Sequence, residues 1–156
     1  MTRQTSKRPP SLAHKPFSVP GLIKILEAEG ATCHMTGRRT IIVDAEWGPG
    51  LEIRLCSTTG KPVKEAGSLS FWYVLPKDRI LDAKAINSWN ESGRFTRAFI
   101  DRNGETCMVY DLYASPGLLD DLPAHWSLFS CFAQTFASFA TPRPIQFRKS
   151  RRSGAI

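Results

Sequence analysis

The run Ile86-Asn87-Ser88-Trp89-Asn90-Glu91-Ser92-Gly93-Arg94-Phe95 constrains the fold more than any other part of the chain, together with the Asp101-Arg102-Asn103-Gly104 that follows it. It predicts a helix end, a glycine stop at Gly93 with positive φ, a strand and a tight turn. Asn103-Gly104 between apolar runs signals a two-residue hairpin. That turn would set Ile100 opposite Cys107 and Ala98 opposite Val109 on one side. Phe99 would then face Met108 and Phe95 would face Leu112 on the other. Both sides are largely apolar, so the hairpin is expected at the centre of a sheet, covered on both faces.

Upstream, Gly21 to Gly30 reads as a short helix between Pro20 and a glycine stop. Thr40-Ile41-Ile42-Val43 is β-branched throughout. Leu51, Ile53 and Leu55 alternate with polar residues, as do Leu69, Phe71, Tyr73 and Leu75, the pattern of half-buried strands. Asp78 is placed to cap a helix carrying Ile80, Leu81, Ala85, Ile86 and Trp89. The order helix–strand–strand–strand–helix–strand–strand–helix predicts an α+β fold, a mainly antiparallel sheet of about five strands with the first and last helices on one face.

The last helix, from about Leu122 to Ala140, contains no Lys, Arg, Asp or Glu. Asp120 and Asp121 precede it, where acid favours the positive end of the helix dipole, and Pro123 would sit in its first turn. Phe129, Phe132, Phe136 and Phe139 are spaced to form one stripe, with Ser127, Ser130, Gln134 and Ser138 behind them. A helix without charge is either buried on two sides or packed against a partner. Phe129, Phe132, Phe136 and Phe139, with Trp126, are therefore the candidate interface, and a homodimer or another protein is the expected partner. Trp47, in a Gly-Pro-Gly loop, is a further candidate for an exposed aromatic anchor.

The formal net charge of +7 belongs to the ends of the chain. Residues 1–16 and 141–156 hold 9 of the 21 Lys+Arg and no acid, which leaves 12 bases against 14 acids in residues 17–140. One domain over 17–140 between two basic tails is the predicted organisation. Arg143, Arg148, Lys149, Arg151 and Arg152 could attract a polyanion, so weak nucleic-acid binding through the tails is the alternative function. The start of the chain lacks the apolar stretch of a secretory signal, and no run reaches the ~20 apolar residues of a membrane span. A cytoplasmic setting is expected, with the four cysteines reduced.

No residues assemble a recognisable catalytic or metal pattern. Cys33 and His34 are neighbours on an extended segment and point to opposite faces, and no Cys-x-x-C pair occurs. Asp120-Asp121 are explained by the helix start, and His125 by packing. No enzyme, no metal and no cofactor are expected. Asn87 and Asn90 are read as amides that satisfy backbone at a helix end, and Arg94 and Arg97 as partners for acids such as Asp111.

Ile86-Asn87-Ser88-Trp89-Asn90, Arg94-Phe95, Asp101-Arg102-Asn103-Gly104 and Val109-Tyr110-Asp111-Leu112 with Gly117 resemble, in this order, the signature of the YbjN family of small bacterial proteins. The family is described as sensory-transduction regulators, and its fold is similar to that of type III secretion chaperones. Those are commonly dimeric proteins that bind extended protein segments. The resemblance implies a regulatory or binding role without catalytic residues. It makes Asn87, Trp89, Asn90, Arg94, Phe95, Asp101 and Gly104 a structural signature.

Overall fold

A computed structural model describes residues 16–45, 48–56 and 64–142 of the chain. Trp47 and the basic residues Arg143, Arg148, Lys149, Arg151 and Arg152 lie outside the described residues, as do residues 1–15 and 143–156.

The elements run β1 (Phe17–Ser18), α1 (Val19–Ala28), β2 (Thr32–Thr36), β3 (Thr40–Ala45), β4 (Gly48–Cys56), β5 (Glu65–Ala66) and β6 (Ser68–Val74). They continue with β7 (Arg79–Ile80), α2 (Ala83–Ser92), β8 (Arg97–Ile100), β9 (Thr106–Tyr113), α3 (Leu118–Phe139) and β10 (Thr141–Pro142). Six strands form one antiparallel sheet in the order β2-β3-β4-β6-β9-β8, and β1-β5 and β7-β10 are separate two-stranded pairs. The expected α+β class is therefore present, with one more strand in the main sheet. The extra strand is β2. It lies at an edge with four of its five residues exposed, so it lacks the alternating apolar signal that reveals a half-buried strand.

Alternation in the sequence becomes two-sidedness in the sheet. Ile41, Val43, Leu51, Ile53, Leu55, Leu69, Phe71 and Tyr73 are buried, joined by Met108, Tyr110 and Leu112 of β9. The helices lie over this face. Phe71 stacks on Phe129 of α3 with centroids 5.1 Å apart, while Trp89 of α2 meets Phe136 edge-on at 4.8 Å. Leu22 and Leu26 of α1 complete the same core at 0% exposure.

The hairpin departs from expectation in both position and register. β8 is an edge strand, so the hairpin is not central. Ala98 pairs with Met108 and Phe99 with Cys107, one residue away from the register of a two-residue turn. The cause is Asp101. Its Oδ1 accepts from the backbone N–H groups of Asn103 (2.8 Å) and Glu105 (2.9 Å). The Gly104 N–H donates to the Asp101 carbonyl at 3.0 Å, and Gly104 sits at φ 77°. A three-residue loop with a left-handed glycine results, and its extra residue shifts every pair by one.

Helix boundaries also moved. The cap of α2 is Asp82, whose side chain accepts from the Ala85 N–H at 2.7 Å; Asp78, Ile80 and Leu81 precede the helix. Ile80 belongs instead to β7, which pairs with β10. Gly93 ends α2 with φ −88°, not a positive value. A Cβ there would lie 3.0 Å from the Trp89 carbonyl oxygen, so its close approach to the helix end is what favours glycine.

Candidate functional site

α3 begins a turn earlier than the sequence suggests, at Leu118 after Gly117 in the left-handed conformation (φ 86°). Asp120 and Asp121 consequently fall inside its first turn, still at the positive end of the dipole. Pro123 then lies within the helix rather than at its start.

The phenylalanine stripe divides. Leu118, Leu122, Trp126, Phe129, Ala133 and Phe136 face the sheet and are buried. Trp126, Phe129 and Phe136, expected at the interface, are thus core residues of this chain. Spacings of 3 and 4 rotate successive phenylalanines about the helix axis, so two point inward and two flank. Phe132 is half-buried and Phe139 is 45% exposed. Leu128, 37% exposed, extends the flank, and Phe95, 59% exposed, places its ring 6.4 Å from that of Phe132. Leu128 was not singled out in the sequence, and Phe95 was placed in the structural signature rather than the interface: it reads as a strand residue, but β8 starts two positions later.

The rest of the outer face is polar without charge. Ser127, Cys131, Gln134, Thr135 and Ser138 are exposed. Two of the hydroxyls turn back to their own helix, Thr135 Oγ1 donating to the Cys131 carbonyl and Ser138 Oγ to that of Gln134, each at 2.9 Å. A depression of about 490 Å³ runs beside this face, lined by Glu29, Trp126, Ser127, Ser130, Cys131, Gln134 and Thr135. The Oγ of Ser130 is out of water there with no hydrogen-bond partner.

The signature residues hold the hairpin to α2. Asn90 receives the Ala98 N–H on Oδ1 (2.7 Å) and donates through Nδ2 to the Ala98 carbonyl (3.0 Å). Trp89 is buried and its Nε1–H reaches Thr96 Oγ1 at 3.1 Å. Asn87 and Arg94 are exposed, Asn87 beside a shallow recess with Ala83, Lys84, Ser88 and Glu91. Arg97 pairs with Asp111, which also accepts from Ser70. His125 Nδ1 lies 2.7 Å from the hydroxyl of Tyr110, whose pKa is raised by burial. Burial foremost, with nearby Glu27 and Asp44, pushes the Cys33 thiol up to about 11. Burial foremost, aided by Asp101, does the same to Cys107.

Among the described residues no three His, Cys, Asp or Glu gather as a metal site, and no helix is long and apolar enough to cross a membrane. The fold defines an α+β protein with a helix-covered sheet and a last helix without Lys, Arg, Asp or Glu over residues 122–139. The chain belongs to the YbjN family, described as a "putative bacterial sensory transduction regulator", which it matches over residues 21–141. No curated protein and no solved structure matches it.

Proposed function

We propose that this chain is a cytoplasmic, non-enzymatic regulator that acts by holding another protein against the outer side of α3, in the manner of type III secretion chaperones. The observation that carries this reading is the absence of Lys, Arg, Asp and Glu over residues 122–139 of α3, on a side that is nonetheless open. Leu128, Phe132, Phe139 and Phe95 offer apolar contact, and interface centres are depleted in charge and enriched in aromatic residues. Ordinary solvated helix faces carry Lys and Glu.

The test is retention of a partner from the bacterial host by immobilised protein, comparing the full chain, Phe132→Glu, Phe139→Glu and a chain reduced to residues 17–142. Binding is expected to survive loss of the tails. It is expected to fall at least ~30-fold with either glutamate, since a carboxylate in an apolar contact loses its water without gaining a partner. Binding that follows the tails and ignores both glutamates would assign the function to the basic ends instead, and a polyanion would then be the ligand.

A further inference from the structure

The outer side of α3 has acid at its start and beside its middle, and no Lys or Arg along it. Asp120 and Asp121 are exposed in its first turn. Glu29, just past the end of α1, lines the depression together with Ser127, Ser130 and Gln134. The last turn of α1 carries no base, so Glu29 and the negative end of that helix dipole both favour a cation there. Leu128, Phe132 and Phe139 lie on the opposite flank, as the ~100° turn per residue of a helix requires. Cys131 and Ser138, between the two, are exposed.

We propose that residues 143–152 of this same chain turn back after β10 and lie extended along this side of α3, so that a partner must displace them to bind. The place where the described chain ends favours this. β10 follows α3 directly, and Arg79 of β7 ties down the end of α3, its Nη1 donating to the Ala137 carbonyl at 2.8 Å. Pro142 and Pro144 restrict Thr141 and Arg143 to extended backbone. An extended chain advances about 3.3 Å per residue and a helix about 1.5 Å, so the two run in a definite register. Phe147, about 16 Å beyond Pro142, comes level with Phe132, about 15 Å back along α3. Arg148 comes level with Ser130 and the depression at about 20 Å, and Arg151 and Arg152 reach Asp120 and Asp121 at about 30 Å. Alternation agrees with this register. Ile145 and Phe147 point to one side of an extended chain, Gln146 and Arg148 to the other. The apolar pair then lies on the phenylalanine flank, and the arginine enters the depression beside Glu29. Residues 143–152 hold five bases and no acid, a charge complementary to Glu29, Asp120 and Asp121.

The docking stands on the face and the segment; its effect on a partner rests on α3 being the partner surface. Cys131 reports the docking, because its exposed thiol lies under the proposed path, and Cys56, exposed elsewhere, is the internal reference. Full-length chains are alkylated with iodoacetamide and each thiol is followed by mass spectrometry, with circular dichroism as the check on folding. Cys131 of the wild-type chain is expected to react at least ~10-fold more slowly than in Phe147→Glu, with Cys56 unchanged. Glu29→Lys and Arg148→Glu are each expected to speed Cys131, and the two together in one chain to restore its protection. Equal Cys131 rates in the wild-type chain and Phe147→Glu, or a doubly substituted chain that stays unprotected, would overturn the proposal. So would protection that grows with protein concentration, which would assign the strip to another molecule. If the docked segment masks the face, Phe147→Glu is expected to hold a partner at least ~10-fold more tightly. A chain that protects Cys131 yet holds no partner removes the partner reading and leaves the docking standing. A chain that holds a partner equally well with and without Phe147→Glu, and alkylates Cys131 equally fast, overturns the docking and leaves the partner reading.

Discussion

Gly50 and Gly104 share a left-handed backbone, at φ 91° and 77°, yet they differ in what surrounds them. A Cβ on Gly104 would meet open space, whereas one on Gly50 would stand 2.6 Å from the Val74 carbonyl oxygen. Gly104→Ala is therefore expected to cost only the backbone preference, about 1 kcal/mol, and Gly50→Ala at least ~2 kcal/mol because β4 and β6 must also move apart. Urea unfolding of the two variants measures the difference. The thiols supply a pH-dependent contribution. Cys33 and Cys107 are held up to about 11 in the folded protein, so folding favours their protonated form. The stability they contribute is complete below the unfolded thiol range near 9, and is lost as pH rises from there through about 11. Urea midpoints are expected to fall over that window, and less steeply in Cys107→Ala. A midpoint that holds steady to pH 11 would contradict the burial of these thiols.

At the scale of elements, the junction of α2 with β8 shows what the signature residues do. Ala98 turns its N–H and carbonyl toward the open edge of the sheet, and the Asn90 amide bonds both as a neighbouring strand would. The amide thereby closes an edge that could otherwise pair with another chain. Asn90→Ala leaves two backbone groups of a buried residue without partners, an expected loss of about 1–3 kcal/mol. Hydrogen exchange at the Ala98 amide is expected to accelerate before that of β6 or β9; unchanged protection there would remove Asn90 from this role. The sequence shows an asparagine near a helix end and suggests local backbone satisfaction, but its partner is eight residues away on a strand. That distance depends on how Gly93 to Thr96 turn the chain, which no spacing reveals.

For the whole molecule, the decisive property is that the described helices all pack on one face of the sheet. The two buried side-chain polar atoms without partners among the described residues, Ser130 Oγ and Trp72 Nε1, fall one on α3 and one on the opposite side of the sheet. Most of the layering was legible beforehand. Strict alternation in Leu69, Phe71 and Tyr73 and in Leu51, Ile53 and Leu55 identified the core side of the central strands, and the observed burial follows it. The candidate site was less legible. Phe129, Phe132, Phe136 and Phe139 look equivalent in sequence, but the sheet accepts only two of them.

The sequence by itself determined the class of the fold, the lack of charge over residues 122–139 of α3, the hairpin, and the family to which residues 21–141 belong. These follow from local periodicity, turn chemistry and residue type, which act over a few residues and can be read directly. Only the tertiary structure decided that the hairpin lies at an edge, that Asp101 lengthens its turn and shifts the register, and that Trp126, Phe129 and Phe136 belong to the core. It alone placed Arg54, Trp72 and Asp111 together on the sheet face opposite the helices. Strand order and helix rotation are set by contacts between residues far apart in the chain, and a helix's inward face is fixed by the sheet it meets.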